Sequence, residues 1–238
     1  MKKNGFTLAE VLITLGIIGV VAALVMPGLI ANYQKQQYVT QLQKIYSELA
    51  QAAKHLMADE GVDKLTDTDM LYSGEEFQNE PASAERAKQF LYKYFKIAQD
   101  CGLQNTKDKC FAQSYRGFTG GNGSPGNYNG YCVQTAGGAS ICLMPGDWER
   151  AAWGVIDTNG PKGPNATGRD FFTFSLYYDG SIDEGVTPEC RKGGLCQAGF
   201  FANAKQTRDA RFNNCLQDAS YAAGCMGKIL NDGWKMDY

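Results

Sequence analysis

Hydrophobic and polar positions divide the chain near residue 60. From Val11 to Ala31, about 21 residues, no side chain is charged. At a helical rise of about 1.5 Å per residue such a run spans about 30 Å, the thickness of a bilayer core. After it, Tyr38, Leu42, Ile45, Leu49, Ala52 and Leu56 recur at steps of three and four, while Gln41, Lys44 and Glu48 fill the other faces. That stripe suits packing against protein, not lipid. The pattern predicts one long helix, spanning a membrane over residues 6–31 and amphipathic over 32–60, closed by Gly61 as a C-cap. Pro27 removes one helical hydrogen bond and clashes with the carbonyl of Ala23, which predicts a bend or a local opening there.

Residues 61–238 read as one globular α+β domain. A polar, turn-rich stretch over 61–82 leads to Ser83, the expected cap of a second helix running to about Ile97, with Phe90, Leu91, Tyr94 and Phe95 on its apolar side. Short strands and Gly-rich loops follow. The clearest hairpin pairs Tyr131–Thr135 with Ala139–Leu143 around Ala136-Gly137-Gly138. A second runs from Phe171 to Tyr178, turns at Asp179-Gly180 and returns from Ser181, its Phe172, Phe174, Leu176 and Tyr178 making the more apolar face. Helices followed by strands imply an antiparallel sheet packed on the long helix.

Eight cysteines, all downstream of the long helix, fall in local pairs: Cys101 and Cys110, Cys132 and Cys142, Cys190 and Cys196, Cys215 and Cys225. An even count without any C-x-x-C favours disulfides in an oxidising compartment over zinc. The three-residue hairpin loop places Cys132 directly opposite Cys142, within disulfide reach. The other pairs are assigned in sequence order.

Lys2 and Lys3 precede the apolar run, so the positive-inside rule puts the N-terminus in the cytoplasm and the remainder outside. A secretory signal would be shorter, and its best small-residue cleavage site, Ala22-Ala23, lies inside the run. Glu10 is the anomaly. A carboxylate beside a membrane span costs about 2.5–3.5 kcal/mol, and no Lys or Arg occurs between it and Lys35. It is either solvated by headgroups or paired with an amine freed by cleavage after Gly5, carried by Phe6 of an adjacent subunit.

The string Gly5-Phe6-Thr7-Leu8-Ala9-Glu10 followed by an apolar helix resembles the N-terminal signal of type IV prepilins and type II secretion pseudopilins. The resemblance covers about thirty residues. It implies a leader of residues 1–5, cleavage between Gly5 and Phe6 by a prepilin peptidase, N-methylation of Phe6, and a docking role for Glu10. Pro27 matches a helix-interrupting proline common in that family. The implied partners are other pilin or pseudopilin subunits, the peptidase, an inner-membrane assembly platform, and membrane lipid before assembly. The implied location is the bacterial cytoplasmic membrane, single-pass, then a periplasmic or cell-surface filament. The large cysteine-rich domain points to a minor subunit.

Other chemistry changes this picture little. The segment from Asp157 to Asp170 holds Asp157, Asn159, Asn165 and Asp170, oxygen ligands of the kind calcium prefers. The same residues also suit a rigid cluster of Asx-turns. Some pseudopilins hold calcium in a surface loop, so the resemblance adds to the first reading. No motif requires a cofactor. Gly121-Asn122-Gly123-Ser124-Pro125-Gly126 fits a dinucleotide fingerprint only by letter, because Pro125 and Asn127 oppose a helix start. The one histidine, His55, has no nearby Cys or acid cluster, and hydrolase motifs are absent, which argues against an enzyme. A net charge of −2 gives no basic footprint for nucleic acid. Trp234 and Tyr238 are expected to anchor the tail on the core. Two rival readings are a tip subunit acting as adhesin or uptake receptor, and a signal-anchored domain that builds no filament.

Overall fold

The computed structural model describes residues 7–69, 71, 80–105, 109–123, 130–146, 150–194, 196, 203–217 and 223–238. Gly5 and Phe6 lie outside these, as do residues 124–129 of the Gly-rich loop. The chain divides into two compact units, Met1–Gln37 and Tyr38–Tyr238.

In the first unit the described residues are helical from Leu8, within α1 (Leu8–Glu60). Its large apolar side chains are exposed, from Leu8 through Ile13, Ile18 and Leu24 to Leu29. The helix continues without interruption through Pro27, so the expected local opening does not form. A proline deletes its own N–H donor only, and the neighbouring residues keep theirs.

The second unit begins with the amphipathic half of α1. Val39, Leu42, Ile45, Leu49, Ala52, Ala53 and Leu56 are buried there, the predicted stripe with Val39 and Ala53 added, while Tyr38 is half-buried. The helix stops at Gly61, whose φ is +65°. Its N–H donates to the Ala58 carbonyl at 3.3 Å, and the N–H of Val62 donates to the Met57 carbonyl at 3.0 Å. This is a Schellman closure, which needs a left-handed residue at Gly61.

Helix α2 spans Glu80–Tyr94, starting earlier and ending sooner than expected. Ser83 is no cap: it lies inside the helix, and its buried Oγ has no hydrogen-bond partner among the described residues. Pro81 occupies the first turn, where a missing N–H costs nothing. Ile97 belongs to the first strand, because β1 runs Ile97–Leu103.

The main sheet has the order β1-β4-β5-β6-β7-β8, where β4 is Tyr131–Thr135, β5 Ser140–Pro145, β6 Arg150–Asp157, β7 Phe171–Tyr177 and β8 Ile182–Asp183. Every pairing is antiparallel. A two-stranded ribbon of β2 (Tyr115–Arg116) and β3 (Asn122–Gly123) forms a second sheet, tied to the β6–β7 loop by the Arg116 N–H, which donates to the Asn165 carbonyl at 2.8 Å. Among the described residues three further helices follow: α3 (Pro188–Arg191), α4 (Ala204–Gln217) and α5 (Cys225–Asn231). Val133, Ile141, Leu143, Ile156, Phe172 and Phe174 share one core cluster with the buried stripe of α1. The second unit is thus α+β, with the second half of α1 sharing the core of an antiparallel sheet.

Both expected hairpins form. Thr135 donates its N–H to the Ala139 carbonyl at 2.8 Å, closing the three-residue loop and setting Cys132 opposite Cys142. The four cysteine pairs lie at disulfide distance in sequence order, with Cα separations of 5.8 Å for Cys101–Cys110, 4.0 Å for Cys132–Cys142, 4.6 Å for Cys190–Cys196 and 5.2 Å for Cys215–Cys225. In β7, Phe172, Phe174 and Leu176 enter the main core as alternation predicts. Phe171 is buried as well, but in a second cluster with Phe111, Tyr115 and the first two cysteine pairs.

Candidate functional site

Two places carry the candidate residues. The first is the start of α1. Thr7 precedes the helix, and the N–H of Glu10 donates to its hydroxyl oxygen at 3.3 Å. In return Glu10 Oε2 accepts the Thr7 N–H and the Thr7 hydroxyl, each at 2.8 Å. This is a capping box, which satisfies orphan donors of the first turn. Sequence reasoning looked for a cation to match Glu10 and passed over the Thr-x-x-Glu spacing, which announces this partner. Beyond it, α1 is long and apolar enough to cross a membrane, and its most apolar stretch is entirely exposed.

The second place is the loop between β6 and β7. Asp157 and Asp170, at its two ends, are fully buried. Asp157 accepts the Tyr115 hydroxyl and the N–H of Asn159 at 3.2 Å. Asp170 accepts the N–H groups of Asn165 at 2.8 Å and Ala166 at 2.7 Å. The side-chain amides of Asn159 and Asn165 donate to the Gly163 and Pro161 carbonyls, while their Oδ1 atoms are buried without a partner among the described residues. Gly160, at φ +67°, passes close to the β4–β5 hairpin: a Cβ there would lie 2.3 Å from Gln134 Nε2 and 3.0 Å from the Gly138 carbonyl oxygen. Both readings of the loop thus keep support. The Asx-turns are present, and two carboxylates with spare lone pairs lie in one loop with two unpartnered amide oxygens, donor types that fit a hard cation. No group of three or more His, Cys, Asp or Glu able to hold a metal occurs among the described residues.

Burial pushes Asp157 up to about 8, with the nearby Asp170 charge adding to the shift. It raises Asp170 too, and pushes Glu184 up to about 7 against the Thr173 hydroxyl and the N–H groups of Gly224 and Gly227. These folded-state values exceed the ordinary ones, so the folded form holds protons that the unfolded chain has released. Stability contributed by them is complete below about pH 4 and is lost as pH rises through 7 to 8. The metal-free protein is therefore expected to melt at a lower temperature at pH 8 than at pH 5, with a flatter profile in Asp157→Asn. A profile that rises toward pH 8 would overturn this account.

The remaining candidates are structural. Trp234 packs edge-on against Tyr46 at 5.0 Å between ring centroids. Tyr238 donates its hydroxyl to the Gly168 carbonyl at 2.8 Å and packs on Phe118 and Phe212. The tail is anchored as expected. The long-range ion pair between buried Asp183 and Arg208, which ties β8 to α4, left no signal in the sequence.

An exposed apolar helix, capped through Thr7 and Glu10, fits membrane anchoring by its length and composition. Residues 1–26 match the family described as the prokaryotic N-terminal methylation motif, the signature of type IV pilins and pseudopilins. No curated protein and no solved structure matches the chain.

Proposed function

We propose that this chain is a minor structural subunit of a type IV pilus-like or type II secretion filament. A prepilin peptidase cuts it between Gly5 and Phe6, Phe6 is N-methylated, and α1 carries it into the fibre. The supporting observation is the methylation motif over residues 1–26, joined to a helix that leaves its apolar side chains uncovered. Before assembly the helix spans the cytoplasmic membrane with Lys2 and Lys3 inside. Afterwards it packs against the helices of other subunits, where Glu10 exchanges its Thr7 partner for the Phe6 amine of a neighbour. The globular domain then faces outward. Such a subunit works by packing and not by catalysis.

Mass spectrometry of the mature protein tests this directly. The expected N-terminal peptide begins at Phe6 and carries one added methyl group. An intact Met1, or a cut near Ala23, would instead make the chain a signal-anchored domain outside any filament. A tip adhesin would be processed in the same way, and its placement at one fibre end would separate it from a subunit distributed along the shaft.

The loop between Asp157 and Asp170 is proposed to take calcium through those two carboxylates and the Oδ1 atoms of Asn159 and Asn165. A bound divalent cation favours ionised carboxylates, so millimolar calcium is expected to raise the melting temperature most at pH 8 and to flatten the pH profile. An identical profile in calcium and in chelator would leave the loop as a turn cluster.

A further inference from the structure

A half-open groove of about 560 Å³ lies between the second half of α1, the end of α2 and the tip of the β4–β5 hairpin, all within the second unit. Lys44, His55 and Lys96 line it over a floor that includes Tyr94 and Phe95, and Glu48 is its one acid. Lys44 reaches over the hairpin tip because Gly137 has no side chain: a Cβ there would stand 2.9 Å from the Lys44 ammonium. Lys44 also lies 3.9 Å from Glu48, which leaves the groove with a surplus of positive charge. The hairpin tip is fixed against this wall by the Ala136 N–H, which donates to the Lys96 carbonyl at 2.7 Å.

The matching surface is the segment that follows α1. Between Gly61 and Asp69 the chain carries Asp63, Asp67 and Asp69 against Lys64 alone. These three carboxylates are exposed, and none has an ion pair among the described residues. The segment is held rigidly by buried Leu65 and Thr66, by the Leu65 N–H donating to the Tyr178 carbonyl at 2.7 Å, and by the Thr68 hydroxyl donating to the Leu65 carbonyl at 2.6 Å. A preordered ridge loses little entropy on docking.

We propose that the groove seats the acidic ridge Gly61–Asp69 of a second copy of this chain, an inference that rests on the filament reading above. Charge complementarity favours that occupant. Groove and ridge are unlike surfaces, so the contact is head-to-tail, and its rotation decides whether two copies close on each other or leave a free groove and ridge at the ends. It would act beside the packing of the N-terminal helices and select which subunits become neighbours.

A photo-crosslinking amino acid at exposed Ala136, in the full chain and in assembling cells, provides the test. The expected product contains two copies, joined by mass-spectrometric mapping from position 136 to residues 61–69. Lys44→Glu with Lys96→Glu should reduce its yield at least tenfold, and adding Asp63→Lys with Asp67→Lys should restore most of it. A product with another protein, a map to a different region, or a yield indifferent to the charge reversals would overturn the proposal. Cleaved and methylated Phe6 without this product would reject the groove contact and leave the filament reading standing. An uncleaved N-terminus would reject both.

Discussion

Glu10→Val is expected to leave the chain synthesised, inserted and exported, and to abolish its recovery in sheared filaments. Insertion should not suffer, since removing the carboxylate relieves a cost of about 2.5–3.5 kcal/mol for a charge beside the span. Assembly should, because a processed Phe6 carries an ammonium into an apolar fibre core, and breaking a buried charge pair from one side costs about 3–5 kcal/mol. That corresponds to a loss of more than a hundredfold in incorporation. The capping box supplies the control. Thr7→Ala removes the hydroxyl that holds Glu10 in the isolated helix, a loss of about 1 kcal/mol, and leaves the carboxylate free to meet an amine. Thr7→Ala should therefore assemble far better than Glu10→Val. Equal defects in the two variants would mean that Glu10 acts only as a cap, and normal assembly of Glu10→Val would sink its docking role.

The contrast between those two variants also marks where the sequence could be read and where it could not. Local patterns were legible. The three- and four-residue recurrence from Leu42 to Leu56 became the buried face of α1, Gly61 became its closure, and the flanks of Ala136-Gly137-Gly138 fixed a register that sets Cys132 against Cys142. Failures arose where two local signals competed. Ser83 looked like a cap, yet Pro81 two positions earlier already suits a first turn and α2 begins at Glu80. Thr7 has no assigned part in the cleavage motif, yet it bonds Glu10 three residues on. Long-range partners were not legible in principle. Tyr115 is 42 residues from the Asp157 carboxylate it meets, and Arg208 is 25 residues from Asp183. No spacing rule links such pairs, because tertiary packing alone brings them together. The sequence therefore names Asp157 and Asp170 as oxygen donors, and only the fold reveals that both are buried, bonded and displaced toward the protonated form.

Full reduction of the cysteine pairs is expected to unfold the second unit at room temperature, whereas loss of a single pair should leave it folded. The closed loops are short, with sequence separations of 9, 10, 6 and 10 residues. Loop-closure entropy then puts each crosslink at about 2–3 kcal/mol, and the four together at about 10 kcal/mol. A domain of this size is stable by only about 5–15 kcal/mol in total, so the sum reaches the scale of the whole while one pair does not. Burial sharpens the effect at one place. Cys101, Cys110, Cys132 and Cys142 are buried with Phe111, Tyr115 and Phe171 in the second core cluster, so their removal empties space as well as freeing chain. Cys132→Ala with Cys142→Ala should cost more than Cys190→Ala with Cys196→Ala, whose cluster holds, among the described residues, Val186 besides the pair as buried members. Near-ultraviolet circular dichroism in detergent should vanish on full reduction, while the far-ultraviolet signal of the cysteine-free first unit persists. A melting profile unchanged by reductant, under conditions where all eight thiols are shown to be free, would remove the crosslinks from any account of what holds this domain together.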